Sequence, residues 1–546
     1  EVSVKDTVLI CNTNDASIYH QLNRIYRESS FEMRQSLKYL PVFIIEDQLD
    51  NWRLMMQKFD FNQLEEFQNI HFLIGVKNDK LEGYFQRDEV PLPNVLYGTD
   101  VGEIKGLLEK VKTIKERSFQ ERLANLQKYY DRTKPEHAEK ILIVTSCEEE
   151  FLFKYGEALR LYFKENGFET EIVYESPPFY KFNKYDDLRR LESFRPDLAV
   201  HLFATAEELE AYQNLSVPFI NWRIIDRWIV SNVTASHPLE RVIISGASSV
   251  NSGLQERGFL PEQIKSVPLP YLPMAIAERT NPIKENRISV IRNLKDQEKI
   301  LVKLAAAVMG ILADGRNFSG ETIISICRAV MFKLMTGLLK QGSLTPDDEF
   351  YQNVIREEFQ KKDRTLEPEM LRLIAGLFRR ELEDSLLISV QIKWLINSEP
   401  KYDIKLYGAG WEQDLSLKGY REPSLESFGK EYQYTVLQSK INLYPSLMLN
   451  NNSYMQPDLI NGIAMGGFFL VNGSLVRTVG ERVLEPFNGL LEIYQNREEL
   501  LAKAQFYLSH EAERIEKAER LREHVLKNFG IERVAKEILD AYWEMG

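Results

Sequence analysis

The chain has 546 residues, 44% hydrophobic and 27% charged, with a formal net charge of −12. That length exceeds one ordinary core and points to several domains of globular composition. The acidic balance excludes a polyanion-binding surface as the main business of the chain and leaves only local basic patches for anions.

Residues 1–125 open with the apolar run "DTVLICN", followed by a helical pattern, a second buried strand "LPVFIIED", two short helices and a third strand "HFLIGV". Such alternation predicts an N-terminal α/β domain with a parallel sheet. The segment from "GEIKG" to "KYYDRT" reads as a long charged helix leading to the next unit.

A second α/β unit is expected over 126–280. "KILIVTS" is a buried strand, and "EFLFKYGEALRLYFKENG" an amphipathic helix closed by Gly167. "FETEIVYE", "DLAVHLF", "VPFINW" and "RVIIS" supply further strands, in a Rossmann-like layout. The first turn reads "TSCEEEF" instead of GxGxxG, and three glutamates there would repel a pyrophosphate.

"LPMAIAERTNPIKE" reads as a linker. The region 281–546 is expected to form a second Rossmann-like domain, interrupted by a helical insertion over about 296–397, where apolar residues recur every three and four positions. The α/β pattern resumes at "YDIKLYGAGW" and runs through "YTVLQSKINLYPS" and "DLINGIAMGGFFLVN" to helices that fill the tail.

Three dispersed cysteines, Cys11, Cys147 and Cys327, show no CxxC spacing and read as reduced thiols. Seven scattered histidines suggest no metal site. No apolar run approaches the roughly 20 residues of a membrane span, and no signal-peptide pattern is read. The expectation is therefore a cytoplasmic protein without a transmembrane segment, nucleic-acid partner or cofactor. The oligomeric state is left open.

Three motifs carry possible chemistry. In "KLYGAGW", Gly408 and Gly410 follow a strand, where backbone N–H groups can approach a phosphate and Trp411 can pack on a ring; the alternative is a tight turn with Trp411 in the core. In "QSKINLYPS", Ser439 and Lys440 lie at a helix end and Asn442 in the strand; Lys440 either complements the helix dipole or meets a ligand. In "PDLINGIAMGGFFLVN", Asp458 and Asn461 lie one helical turn apart, and Gly466 and Gly467 end the helix. They either form a capped helix or face a ligand beyond the sheet.

The ordered set "DIKLYGAGW … KGY … SKINLYPS … DLINGIAMGGFFLVN … GLLEIYQNREELLAKAQFYLSHEAERIEKAERL" resembles the C-terminal half of CgeB-type glycosyltransferase-like proteins, over about 400–530. "VPFINWRIIDRW" and "SGASSVNSGLQERGF … VPLPYLP" resemble parts of their first domain. "PVFIIEDQLDNWRLMMQKFDFNQLEEFQNIHFLIG" more weakly resembles the N-terminal region of motility accessory factor proteins, which are associated with flagellin glycosylation.

The resemblance implies two Rossmann-like domains in a GT-B arrangement. It also implies transfer of a sugar, hexosyltransferase-like, from a nucleotide-sugar to a protein or cell-surface glycan without a metal. The donor is then a substrate, held on the C-terminal domain by Lys440, Arg292 and N–H groups near Gly408 and Gly410, with Trp411, Asn442, Asp458, Asn461, Gly466 and Gly467 around it. Asn461 stands where such families place a glutamate for the ribose hydroxyls, and Asn lacks that charge. A general base is expected in the first domain, at Asp226 or His237. The alternatives are a non-catalytic scaffold or carbohydrate-binding relative, and another GT-B-shaped enzyme such as a sugar-nucleotide epimerase.

Overall fold

The computed structural model describes the chain from Thr7 to Met545, apart from 13–14, 29–39, 66, 68, 100, 133–137, 147–149, 176–182, 203, 205, 207–208, 214, 225–236, 246–253, 256–257, 273–283, 295, 313–318, 344–345, 363, 426–428, 446–456 and 474–484. Among the described residues there are three sheets, and every strand pair of described register is parallel. The expected α/β architecture with Rossmann-like domains is therefore what the chain adopts. Strands such as Val8–Cys11, Val42–Glu46 and Phe219–Arg223 are buried throughout, as central strands of sheets covered on both faces require.

The first sheet has the order β3-β2-β1-β4, with β1 Val8–Cys11, β2 Val42–Glu46, β3 Ile70–Ile74 and β4 Val95–Gly98. The second sheet comprises β5 Lys140–Ser146, β6 Glu169–Glu175, β7 Leu198–His201, β8 Phe219–Arg223, β9 Glu240–Ser245 and β10 Ile264–Val267. Its order is β10-β9-β8-β7-β5-β6.

The long charged helix is Val101–Arg132. It is bonded to elements of both sheets: Lys115 Nζ donates to the carbonyls of Phe85, Arg87 and Val90, and Arg122 pairs with Asp88 and Glu192. Burial lowers the Lys115 pKa to about 8. The first sheet and most of the second fall in one compact unit. That unit contains Glu1–Ile243, Leu254–Lys265 and Ala535–Gly546; the other contains Ile244–Gly253 and Ser266–Val534.

The second unit is built on β11 Glu285–Ile291, β12 Asp403–Tyr407, β13 Ser439–Tyr444, β14 Phe469–Asn472 and β15 Glu492–Tyr494. Their order is β12-β11-β13-β14-β15. The first strand in the chain lies between the second and third. The crevice beyond the carboxyl ends of β11 and β13 is therefore the topological switch point, where open α/β sheets bind ligands.

The helical insertion between β11 and β12 resolves into Gln297–Leu312, Gly320–Gln341, Asp348–Gln360 and Pro368–Ile396. Ser319 caps Gly320–Gln341 by accepting from Thr322 N, and Gly342 ends it with φ +69°. The insertion shares one core with the sheet, Leu304, Ile326 and Leu382 joining Val290 and Leu406.

One sequence expectation needs correction here. Gly320–Gln341 is long and apolar enough to cross a membrane by length and composition. Its apolar character includes a buried stripe of Ile323, Ile326, Val330, Leu334 and Leu338 facing the other helices.

Candidate functional site

β11 ends at Ile291, and the next residue, Arg292, begins a loop clamped to the one after β12. Arg292 N donates to Tyr407 O at 2.9 Å, Leu294 N to Ala409 O at 2.8 Å, and Ala409 N to Asn293 Oδ1 at 2.8 Å. Gly408 and Gly410 have φ of +121° and +92°. A Cβ on either would collide with a main-chain carbonyl, that of Arg292 or of Leu294. Trp411 is fully buried, and its Nε1 donates to Arg292 O at 2.9 Å. The Gly-x-Gly-Trp motif thus faces the protein's own backbone, and that close approach accounts for its residue types. Its effect is to fix Arg292.

The Arg292 side chain is 9% exposed and lies over the ring of Tyr444, the last residue of β13, with Cζ 4.7 Å from the ring centre. Its Nη1 stands 3.7 Å from Asp458 Oδ2. Asp458 occupies the first turn of helix Pro457–Met465, which runs from the same end of the sheet. Tyr444 OH donates to Asp458 Oδ1 at 3.4 Å, and Tyr432 OH donates to Asp458 O at 2.7 Å. Four residues from four places in the chain therefore meet beside the switch point.

Burial raises the Asp458 carboxyl above the usual carboxylate range. Arg292, the N–H groups of Leu459 and Asp458 itself, and Tyr444 oppose that shift. The carboxyl retains some access to solvent, its side chain being 23% exposed. Burial also drives the Tyr432 phenol far above its ordinary value, keeping it a neutral donor. A guanidinium over an aromatic face, next to a helix N-terminus, is an arrangement suited to an anion such as a diphosphate.

The other expected donor-side residues are placed differently. Asn461 is completely buried; its Oδ1 accepts from Leu272 N and its Nδ2 donates to Pro457 O, both at 2.7 Å. Here it ties the segment after β10 to the helix, and it presents no open surface for a ribose. Asn442 is buried in mid-strand and donates to Val436 O and Phe468 O. Lys440 lies near the amino end of β13, away from Arg292, with Nζ 3.5 Å from Leu508 O.

Gly466, with φ +105°, and Gly467 end the helix through Gly467 N→Gly462 O at 2.9 Å. They occupy the end opposite Asp458. Among all the expected donor residues, the structure brings together Arg292 and Asp458, with the Gly408–Trp411 loop behind them.

On the first unit, Asp226 lies outside the described residues. His237 is half-buried, which lowers its pKa, and its Nδ1 accepts from Leu239 N at 3.3 Å in the turn before β9. Among the described residues no group of three or more His, Cys, Asp or Glu is placed to hold a metal.

Tyr432 and Tyr444 were not singled out by sequence. The available signal was position: Tyr444 is the final strand residue before Pro445, at the edge where ligands of parallel sheets bind.

Residues 389–540 match a family described as glycosyl transferase-like. The matched region includes Tyr432, Tyr444 and Asp458 and stops short of Arg292. No curated protein matches the chain.

Among solved structures, the chain is similar to a glycosyltransferase from Rickettsia africae ESF-5, at 12% identity and TM-score 0.40, covering 74% of this chain and 98% of that one. It is also similar to AviGT4, a glycosyltransferase of avilamycin A biosynthesis, at 10% identity and TM-score 0.38, covering 74% and 97%. VinC, a glycosyltransferase solved with dTDP, matches at 9% identity and TM-score 0.35, covering 74% and 100%.

Proposed function

We propose that the chain is a glycosyltransferase that takes a sugar from a nucleotide-sugar and passes it to a protein or cell-surface glycan. The observation that carries this reading is the meeting of Arg292, Tyr444 and Asp458 at the switch point of the second unit. The family match over 389–540 covers β12 to β15 of that unit and supports glycosyl transfer in general. The finer likeness to CgeB-type proteins rests on the motifs alone.

In this reading the diphosphate of the donor lies against Arg292 and the start of helix Pro457–Met465. The guanidinium neutralises charge as the glycosidic bond to phosphate breaks, which favours departure of the nucleoside diphosphate. Tyr444 holds the guanidinium in place from below. The candidates for the base that deprotonates the acceptor are Asp226 and His237. The reaction as proposed draws on no resident cofactor, and the protein works in the cytoplasm.

Thermal-shift screening against UDP-, GDP-, CMP- and dTDP-sugars tests the reading. A donor bound only to the folded state at a hundred times its Kd adds about 2.7 kcal/mol of stability. Stabilisation by one nucleotide class is the expected result. No shift with any class at millimolar concentration rejects the reading.

The enclosed amide of Asn461 favours a second reading, a carbohydrate-binding relative without turnover, because the expected polar contact to the donor ribose is spent on Leu272 and Pro457. Donor hydrolysis measured on a protein that binds donor separates the two.

A further inference from the structure

The carboxyl of Asp458 already occupies the place where the switch point favours an anion. Its Oδ2 faces Arg292 Nη1 at 3.7 Å, and its Oδ1 faces Tyr444 OH at 3.4 Å. The main-chain N–H groups at the helix start point to the same group. A phosphate drawn to Arg292 therefore meets a group that is using the same positive charge, and two anions side by side in a buried place repel strongly.

We infer that Asp458 is a built-in counter-ion that holds Arg292 in position while the site is empty and takes up a proton when a diphosphate binds. This inference rests on the donor-site reading above and adds a property to it. The proton comes from solvent, which reaches the partly open carboxyl. Once neutral, the carboxyl stays beside the guanidinium without opposing the phosphate and offers its own O–H as a donor.

The groups that face Asp458 are few among the described residues. They are Arg292 after β11, Tyr444 at the end of β13 and Tyr432 on helix Lys430–Gln438, the last through the main-chain oxygen. Helix Glu511–Asn528 meets helix Pro457–Met465 at its far end, where Arg522 Nε donates to Ala464 O at 3.0 Å. Burial already pushes the Asp458 carboxyl upward, which lowers the cost of the proton it must take. Arg292 stays charged and Tyr444 stays neutral in this step, so proton uptake is assigned to the one carboxyl.

The test is calorimetric titration of the full chain with UDP-glucose, GDP-mannose and dTDP-glucose, whose diphosphate diester carries no titrating proton near neutrality. Affinity is followed from about pH 5 to about pH 8, in two buffers of different ionisation heat. The wild type is expected to bind more weakly as pH rises, by up to about tenfold per pH unit, with net uptake of at most one proton. Asp458→Asn and Asp458→Ser are expected to bind with a flat profile, and more tightly than wild type at the upper end. A slope that survives in both variants, or weaker binding by both at the upper end, overturns the counter-ion while leaving the donor site standing. If neither the wild type nor either variant binds any of the three at any pH, the donor-site reading falls and this inference falls with it.

Discussion

The main-chain oxygen of Arg292 fills the space that a Cβ on Gly408 would need, and the same oxygen accepts the indole N–H of Trp411. The loop after β12 is thus the mould for the loop after β11. Gly408→Ala adds a methyl against a carbonyl at φ +121°, so overpacking and backbone strain act together. A loss of about 2–3 kcal/mol is expected, read as a lower urea midpoint. Donor affinity should fall as well, because Arg292 loses its fixed backbone.

Arg292 is the cation of the site. Arg292→Ala is expected to weaken nucleotide-sugar binding by about thirtyfold or more, corresponding to about 2 kcal/mol for a buried charge-assisted contact. Arg292→Lys restores the charge but not the guanidinium's contact with the Tyr444 ring, so it should recover only part of the affinity. Titration calorimetry at one salt concentration checks both.

Asp458 gives a pH signature in stability. Its folded carboxyl is raised by burial, so the folded state holds the proton more tightly than the unfolded chain. Stability from this group is full below about pH 4, the unfolded value, and is lost as pH rises through the raised folded value. Asp458→Asn removes that loss. The melting temperature of the variant relative to wild type should therefore climb between acid and neutral pH. A constant difference across that range contradicts the assignment.

Asn461 tests whether its role is structural. Asn461→Ala leaves Leu272 N–H buried without its acceptor and should cost about 1–3 kcal/mol. Nucleotide-sugar affinity, measured below the melting transition, should change by less than about threefold, under 1 kcal/mol. A large loss of affinity with little loss of stability would instead place the amide at the ribose.

Much of this architecture is legible in the residues. Runs such as "KILIVTS" and "VFIIE" are buried strands because parallel sheets covered by helices need apolar residues on both faces. The Gly466-Gly467 stop was readable because the turn from helix to strand requires a left-handed residue.

The site itself was harder to read. Arg292 and Asp458 are far apart in sequence and meet only because β11 and β13 are neighbours, a pairing no local pattern encodes. The Gly408-x-Gly410 motif suggested phosphate contact, but the backbone it approaches belongs to the chain. Asn461 carried the expected spacing, yet spacing cannot tell an amide facing solvent from one facing Leu272. The packing of the first two sheets around helix Val101–Arg132 likewise depended on Lys115 and Arg122, which read as ordinary solvated charges.

The insertion has a consequence for the order of assembly. β11 pairs with β12 in the register Arg287↔Asp403 and with β13 through Ile288↔Ile441. Both neighbours of this strand emerge from the ribosome only after all four insertion helices. Those helices make mostly near-neighbour contacts and can close quickly, whereas the sheet must wait for partners distant in sequence. During synthesis β11 is therefore a strand with two open edges, and the insertion, which shares a core with its Ile288 and Val290, is the first structure able to cover one face of it. A ribosome stalled within the insertion would hold a chain in which Arg292 exists but has neither Tyr444 nor Asp458 to meet. The anion site is thus among the last features of the second unit to form.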